Sequence, residues 1–195
     1  METTATSEHR TPEVTLKLTF KERLETYQPM LSIAGLIVLL DQVSKAVLRA
    51  QLAFGESWMP IDWLAPYARI IHWHNTGAAF GMFQSGGAFF KVLGLVVSGL
   101  ILYYYPAVPK KDWSLRLAMA LQLGGALGNF IDRVRFGYVT DFVSLMNFPV
   151  FNVADTCITI GVIVLIWGVW VSELEAKKQM AAESGDADER SVDGG

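Results

Sequence analysis

Met30 to Leu52 reads MLSIAGLIVLLDQVSKAVLRAQL, a run whose first eleven residues are uncharged and whose remainder carries Asp41, Lys45 and Arg49. A helix rises about 1.5 Å per residue, so roughly 20 residues cross a bilayer core and this run is long enough to span. Its charges need a reason, because each costs about 2.5 to 3.5 kcal/mol near the middle of an inserted helix. Asp41 and Lys45 lie four residues apart and share a helix face, where they can neutralise one another. An ion pair that merely permits insertion and a pair that serves a site both fit that spacing.

Three further stretches are as apolar: Gly86–Pro106, Trp113–Ile131 and Val153–Ser172, interrupted by Lys91, Arg116 and Asp155 respectively. Apolar side chains make up 52% of the chain and charged ones 18%, too apolar for an ordinary soluble domain. The net charge of −3 comes from an acidic end, and there is one cysteine, Cys157, with no CxxC pair. That composition excludes a nucleic-acid partner, a zinc module and a disulfide-stapled domain. A small membrane protein with four spanning helices is the fold class expected.

Ten basic residues fall before the first span, between the second and third, and after the fourth, against three in the other two connections. This bias places both termini in the cytoplasm. The first run starts thirty residues in and is too long for a signal-peptide core, so it is expected to be a permanent anchor. Residues 1–29 form a polar cytoplasmic extension with a short Val14, Leu16, Leu18, Phe20 alternation. Residues 30–172 form the membrane body, and residues 173–195 read as an acidic, disordered tail. Residues 53–85 carry Phe54, Trp58, Trp63, Tyr67 and Trp73, aromatics suited to the headgroup level. They predict a strand-and-turn platform on the outer leaflet, completed by residues 134–151.

With this topology the costly polar groups gather near the outer interface. Asp41 and Lys45 lie in the outer half of span one, Asn129, Asp132 and Arg133 at the outer end of span three, and Asn152 and Asp155 in the first turn of span four. Asp132 beside Arg133 reads first as a structural interfacial pair. Asn152 is a plausible N-cap with Asp155 at the third helical position, so Asp155 is either a capping carboxylate or a reactive one. Asp141 is either an exposed loop acid or its partner. Two carboxylates in a partly dry site cannot both ionise, and one kept protonated beside one charged can activate a water and protonate a leaving amine. His72 and His74 alternate on a strand, but no third ligand lies near them in sequence, and no metal or cofactor is expected.

Five blocks occur in order: Asp41-Gln42-Val43-Ser44-Lys45, Asn75-Thr76-Gly77-Ala78-Ala79-Phe80-Gly81, Gly128-Asn129-Phe130-Ile131-Asp132-Arg133, Gly137-Tyr138-Val139-Thr140-Asp141-Phe142 and Phe151-Asn152-Val153-Ala154-Asp155. Together they resemble the lipoprotein signal peptidase family, the bacterial type II signal peptidases. The resemblance implies an all-α membrane protein of four transmembrane helices with a small extracytoplasmic β-cradle and a short interfacial helix. It implies an aspartyl endopeptidase of the bacterial inner membrane that cleaves diacylglyceryl-modified prolipoproteins before the lipidated cysteine. Asp141 and Asp155 match the family's catalytic aspartates. Asp41, Lys45, Asn75, Gly77, Asn129, Arg133, Asn152 and Ala154 match positions that support the dyad or line the substrate site, and Asp132 matches a structural acid. The expected partners are prolipoprotein substrates and membrane lipids, acting on a monomer.

The N-terminal extension, the acidic tail and the short interval Val143–Val150 between the last two blocks depart from the family pattern. A rival reading is a small proton-coupled transporter or channel, which predicts acids spread through the membrane depth. An inactive scaffold of the same fold is the third possibility.

Overall fold

The computed structural model describes residues 20–77 and 87–192. In chain order they form α1 (Phe20–Gln51), β1 (Ser57–Trp58), β2 (Ala68–Asn75), α2 (Gly87–Tyr104), α3 (Trp113–Arg135), β3 (Val139–Leu145) and α4 (Val153–Val192). The chain is thus mostly helical, with one small antiparallel sheet in the strand order β1-β2-β3.

Three helices, α1, α2 and α4, are long and apolar enough to cross a membrane. Their outer faces show why: Leu36, Leu39 and Val43 on α1, Val92, Leu95 and Val96 on α2, and Ile163, Ile166 and Trp170 on α4 are all exposed. Lipid solvates such faces and water does not. α3 is longer than α2 but less apolar, and α1, α2 and α4 all pack against it. Protein covers α3 where lipid covers the others, and its buried residues are small or polar: Ala118, Ala120, Gly124, Gly125, Gly128, Asn129 and Asp132. The apolar core joins Met30 and Ala34 of α1, Ile101 and Tyr105 around the end of α2, and Ala120 and Leu123 of α3.

Both ends of the helical body differ from expectation. α1 begins at Phe20, ten residues before the apolar run, and continues through Pro29. Of the Val14 to Phe20 alternation only Phe20 lies within the described residues, and it opens this helix. α4 continues as helix to Val192, through the stretch that reads as a disordered tail. Its Ala, Glu, Lys and Gln residues there are good helix formers, which charge patterning alone overlooks.

The platform is the sheet. Trp58 pairs with Ile70, and on the other side of β2 Asn75 pairs with Val139, His74 with Thr140 and Trp73 with Asp141. Between Ile70 and Trp73 the register slips by one residue, a β-bulge that sets which β2 residues face Thr140 and Asp141. Gly137, at φ +82°, turns the chain from the end of α3 into β3, a conformation that favours glycine. In the described part of the 53–85 segment the one helical piece is a three-residue 3-10 turn, Asp62–Leu64; residues 78–86 lie outside the described residues.

Candidate active site

The C-terminal half of α1, the end of α3, β3 and the start of α4 meet at one level, and the polar residues of the helical body meet with them. Asp41 and Lys45 are fully buried and their charged atoms are 2.8 Å apart. The Lys45 ammonium also lies 3.2 Å from Asp132 Oδ2 and donates to Asn129 Oδ1 at 3.0 Å, so its three protons have three acceptors. An ammonium this deep requires such complete pairing, since an unpaired charge there would cost several kcal/mol.

Asp132 and Arg133 part company, which corrects the interfacial pair read from their adjacency. Asp132 turns inward: Oδ2 accepts the Thr140 backbone N–H at 3.0 Å, Oδ1 accepts from Gln42 Nε2 at 3.1 Å, and Arg49 Nη1 stands 3.8 Å from Oδ1. Consecutive helix residues are about 100° apart, so neighbours in sequence need not be neighbours in space. Arg133 turns the other way, donates to the Gly77 carbonyl at 3.3 Å and sits 5.2 Å from the Phe90 ring centroid. Its Nε is buried and has no hydrogen-bond partner among the described residues.

Asp141 is 1% exposed on β3, which overturns the reading of a loop acid. Its Oδ2 accepts from Asn75 Nδ2 at 2.9 Å and its Oδ1 from Asn152 Nδ2 at 2.6 Å. Asn75 in turn accepts the Gly77 backbone N–H at 3.0 Å, a local turn that fixes the amide and explains the two-residue spacing. Asp155 is the capping carboxylate that one of its two readings makes it. The Asn152 side chain accepts the Asp155 N–H at 2.9 Å and the Asp155 Oδ2 accepts the Asn152 N–H at 3.3 Å, a reciprocal capping box at the start of α4. The other oxygen, Oδ1, is free of the cap and accepts from Asn129 Nδ2 at 2.7 Å.

Asn152 therefore holds both aspartates, Asp141 through its side chain and Asp155 through its backbone. Asn129 joins the two halves of the network, since its oxygen meets Lys45 and Asn152 while its nitrogen meets Asp155. Ala154 contributes a backbone N–H, donated to Asp41 Oδ1 at 3.0 Å. Burial, and next the neighbouring Asp155 charge, push the Asp141 carboxyl up to about 7, against the pull of Asn75 and Asn152. Beside the pair lies a cavity of about 470 Å³, lined by Asn75, Gly77, Arg133, Phe151, Asp155 and Thr159 among others. Its mixed lining can take an extended peptide with apolar side chains.

All ten residues named from the sequence lie in or beside this one network. Gln42, Thr140 and Arg49 join it without having been named, and the signal for Arg49 was present: residues 41, 45 and 49 continue one helical stripe. His72 and His74 stand apart from the aspartates. Their rings are 5.0 Å apart, His72 Nδ1 contacts the Leu52 carbonyl at 2.9 Å, and His74 stacks on Tyr138. Burial first, then His72 and Arg49, lower the affinity of His74 for a proton. Residues 78–81 of the second block lie outside the described residues.

A sequence profile of the signal peptidase (SPase) II family matches residues 33–171, the whole of the membrane body except its first and last turns. The lipoprotein signal peptidase of Moorella thermoacetica is 43% identical over 139 residues, covering 71% of this chain and 91% of that protein. That of Staphylococcus carnosus is 38% identical over 134 residues, covering 67% and 82%. A bacterial membrane enzyme solved by the in meso method at 2.3 Å resolution superposes with a TM-score of 0.69 at 31% identity, over 75% of this chain and 90% of the other.

Proposed function

The chain belongs to the signal peptidase II family, membrane proteases that remove signal peptides from prolipoproteins, and we propose that Asp141 and Asp155 are the catalytic dyad with which it does so. The observation that carries this reading is the shared tether: Asn152 binds both carboxylates, and Asp155 and the Asn75 that holds Asp141 line the cavity. Asp141 is buried and Asp155 half-buried, and neither has a basic side chain within ion-pair distance among the described residues, whereas Asp41 and Asp132 both do.

In the proposed reaction the pair shares one proton and holds a water. Asp141, whose burial favours the protonated form, keeps the proton. Asp155, at the helix N-terminus where negative charge is favoured, is the ionised member. Asp155 takes a proton from the water as its oxygen attacks the carbonyl preceding the lipidated cysteine, and Asp141 supports the developing oxyanion. A proton from the pair then passes to the leaving amine as the C–N bond breaks, and the dyad is restored with one proton. Arg133, with Nε turned to no protein partner, and Asn75 orient the peptide. Neither a covalent intermediate nor a metal takes part.

The substrate in this reading is a diacylglyceryl-modified prolipoprotein whose acyl chains stay in the bilayer while the scissile bond sits near the outer leaflet. α3 is the fourth crossing, both termini lie in the cytoplasm, and the enzyme acts as a monomer in the cytoplasmic membrane, with residues 1–29 as an extension of the body. The test is cleavage by the purified chain of a diacylglyceryl-modified prolipoprotein and its unlipidated twin, read by gel shift, with Asp141→Asn and Asp155→Asn alongside. Cleavage of the lipidated form alone, absent in both folded variants, is the expected result. Cleavage by either variant removes that residue from the dyad.

A further inference from the structure

Arg49 is the polar residue of α1 that the dyad reading leaves unused, and it occupies an unusual place. An arginine near the outer end of a spanning helix ordinarily snorkels toward the headgroups. Here the side chain is 18% exposed and turns inward. Its Nη1 donates to Thr140 Oγ1 at 2.8 Å and stands 3.8 Å from Asp132 Oδ1, and the guanidinium lies 4.6 Å from the Phe136 ring centroid. Turning inward gives up hydration, which only this set of partners offsets.

Two of these contacts bear on the residue before Asp141, the bond to its hydroxyl directly and the approach to Asp132 through its N–H. Thr140 is fully buried and is gripped twice, its hydroxyl by Arg49 from α1 and its backbone N–H by Asp132 from α3. Asn75 and Asn152 hold the Asp141 carboxylate from β2 and α4. The β2 ladder and the Asn152 amide, 3.5 Å from the Thr140 carbonyl, also hold this strand, and the Arg49–Thr140 bond is what ties Thr140 to α1. We infer that Arg49 is a positioning residue for the cleavage reaction, setting the place of Asp141 by anchoring Thr140 to α1. The inference rests on the dyad reading above. An error of about 1 Å in a reacting group costs rate without altering how substrate is held elsewhere.

The test uses the full chain in lipid, a diacylglyceryl-modified prolipoprotein, and the variants Arg49→Met, Thr140→Val, Thr140→Ser, the double Arg49→Met/Thr140→Val, and Asp155→Asn. Arg49→Met and Thr140→Val are each expected to lower kcat about tenfold with KM within about twofold. Because both remove the same bond, the double variant is expected to be no slower than the worse single one, and Thr140→Ser, which keeps the hydroxyl, to stay near wild type. Wild-type kcat in Arg49→Met, or single effects that multiply in the double variant, overturns the inference. Should Arg49→Met not fold, Thr140→Val decides alone, and wild-type kcat there overturns it equally. Wild-type cleavage with a silent Asp155→Asn keeps the dyad reading in place whatever the Arg49 variants do; an inert wild type removes both.

Discussion

The Asp41 carboxylate on α1 accepts the Ala154 backbone N–H of α4 at 3.0 Å, so the first helix caps the fourth. It can reach that N–H because α3 presents Gly128 between them: a Cβ added there would stand 2.7 Å from Asp41 Oδ2 and 3.3 Å from the Ala154 side chain. Gly128→Ala is therefore expected to destabilise the fold by about 1–3 kcal/mol and to reduce cleavage. Gly35→Ala, where an added Cβ meets nothing within 4 Å, is the matched control and should hold or raise stability. Thermal unfolding in detergent separates the two, and equal melting temperatures would remove the close approach as a constraint.

Asn152 has two duties that one substitution can divide. Serine can still accept the Asp155 N–H and cap α4, but it cannot donate to Asp141 as the amide does at 2.6 Å. Asn152→Ser is expected to retain most of its thermal stability while kcat falls by about 10- to 100-fold, the cost of leaving a buried acceptor unsatisfied. A large drop in melting temperature with kcat intact would mean that the residue serves the helix alone.

Lys45 is the cation between Asp41 and Asp132. Lys45→Met is isosteric but leaves two buried carboxylates with only the more distant Arg49 as a compensating charge, at 3.8 Å from Asp132. The expected cost is about 3–5 kcal/mol, seen as poor accumulation of folded protein in the membrane. The double variant Lys45→Met/Asp41→Asn, which removes one negative charge with the positive one, should recover part of the loss. Its failure to do so would show that the lysine's hydrogen bond to Asn129 outweighs its charge.

The raised Asp141 carboxyl has a pH signature. Its proton is held to about pH 7 in the folded chain and released near pH 4 in an unfolded one, so the folded state binds more protons between these values. Stability contributed by this group is complete below pH 4 and falls as pH rises to about 7. Activity needs the shared proton, so kcat is expected to decline above about pH 7. Asn75→Ala removes a donor that favours the ionised form, and the alkaline limb should move upward. A limb that stays in place in Asn75→Ala, measured on kcat from pH 5 to 9, would count against Asp141 as the proton holder.

Three membrane-capable helices and the small sheet were legible because a lipid-facing helix and a half-buried strand leave composition signals of about the right length. Asp155 was legible as a cap, and its two oxygens are served separately, Oδ2 by the Asn152 backbone and Oδ1 by the Asn129 side chain. Asp132 was misread because adjacency in sequence suggested Arg133, whereas the helix turns the two about 100° apart. Arg49 was passed over because an arginine near a helix end has an ordinary snorkelling role, and only the position of Thr140 across 91 residues of chain gives it another. α3 was expected to be as lipid-compatible as its neighbours. What the sequence could not display is that three helices enclose it.

That enclosure bears on how the protein is made. Among the described residues the Asp132 carboxylate of α3 meets basic partners only when α1 is already beside it, since Lys45 and Arg49 both come from α1. Emerging alone, α3 would bring an uncompensated carboxylate into hydrocarbon at about 2.5 to 3.5 kcal/mol. Biogenesis is then sequential, the first helix waiting at the insertion machinery as an internal chaperone for the third. A glycosylation-site reporter placed after Arg135 should register insertion of α3 in the intact chain and lose it when Asp41, Gln42, Lys45 and Arg49 are all replaced by leucine.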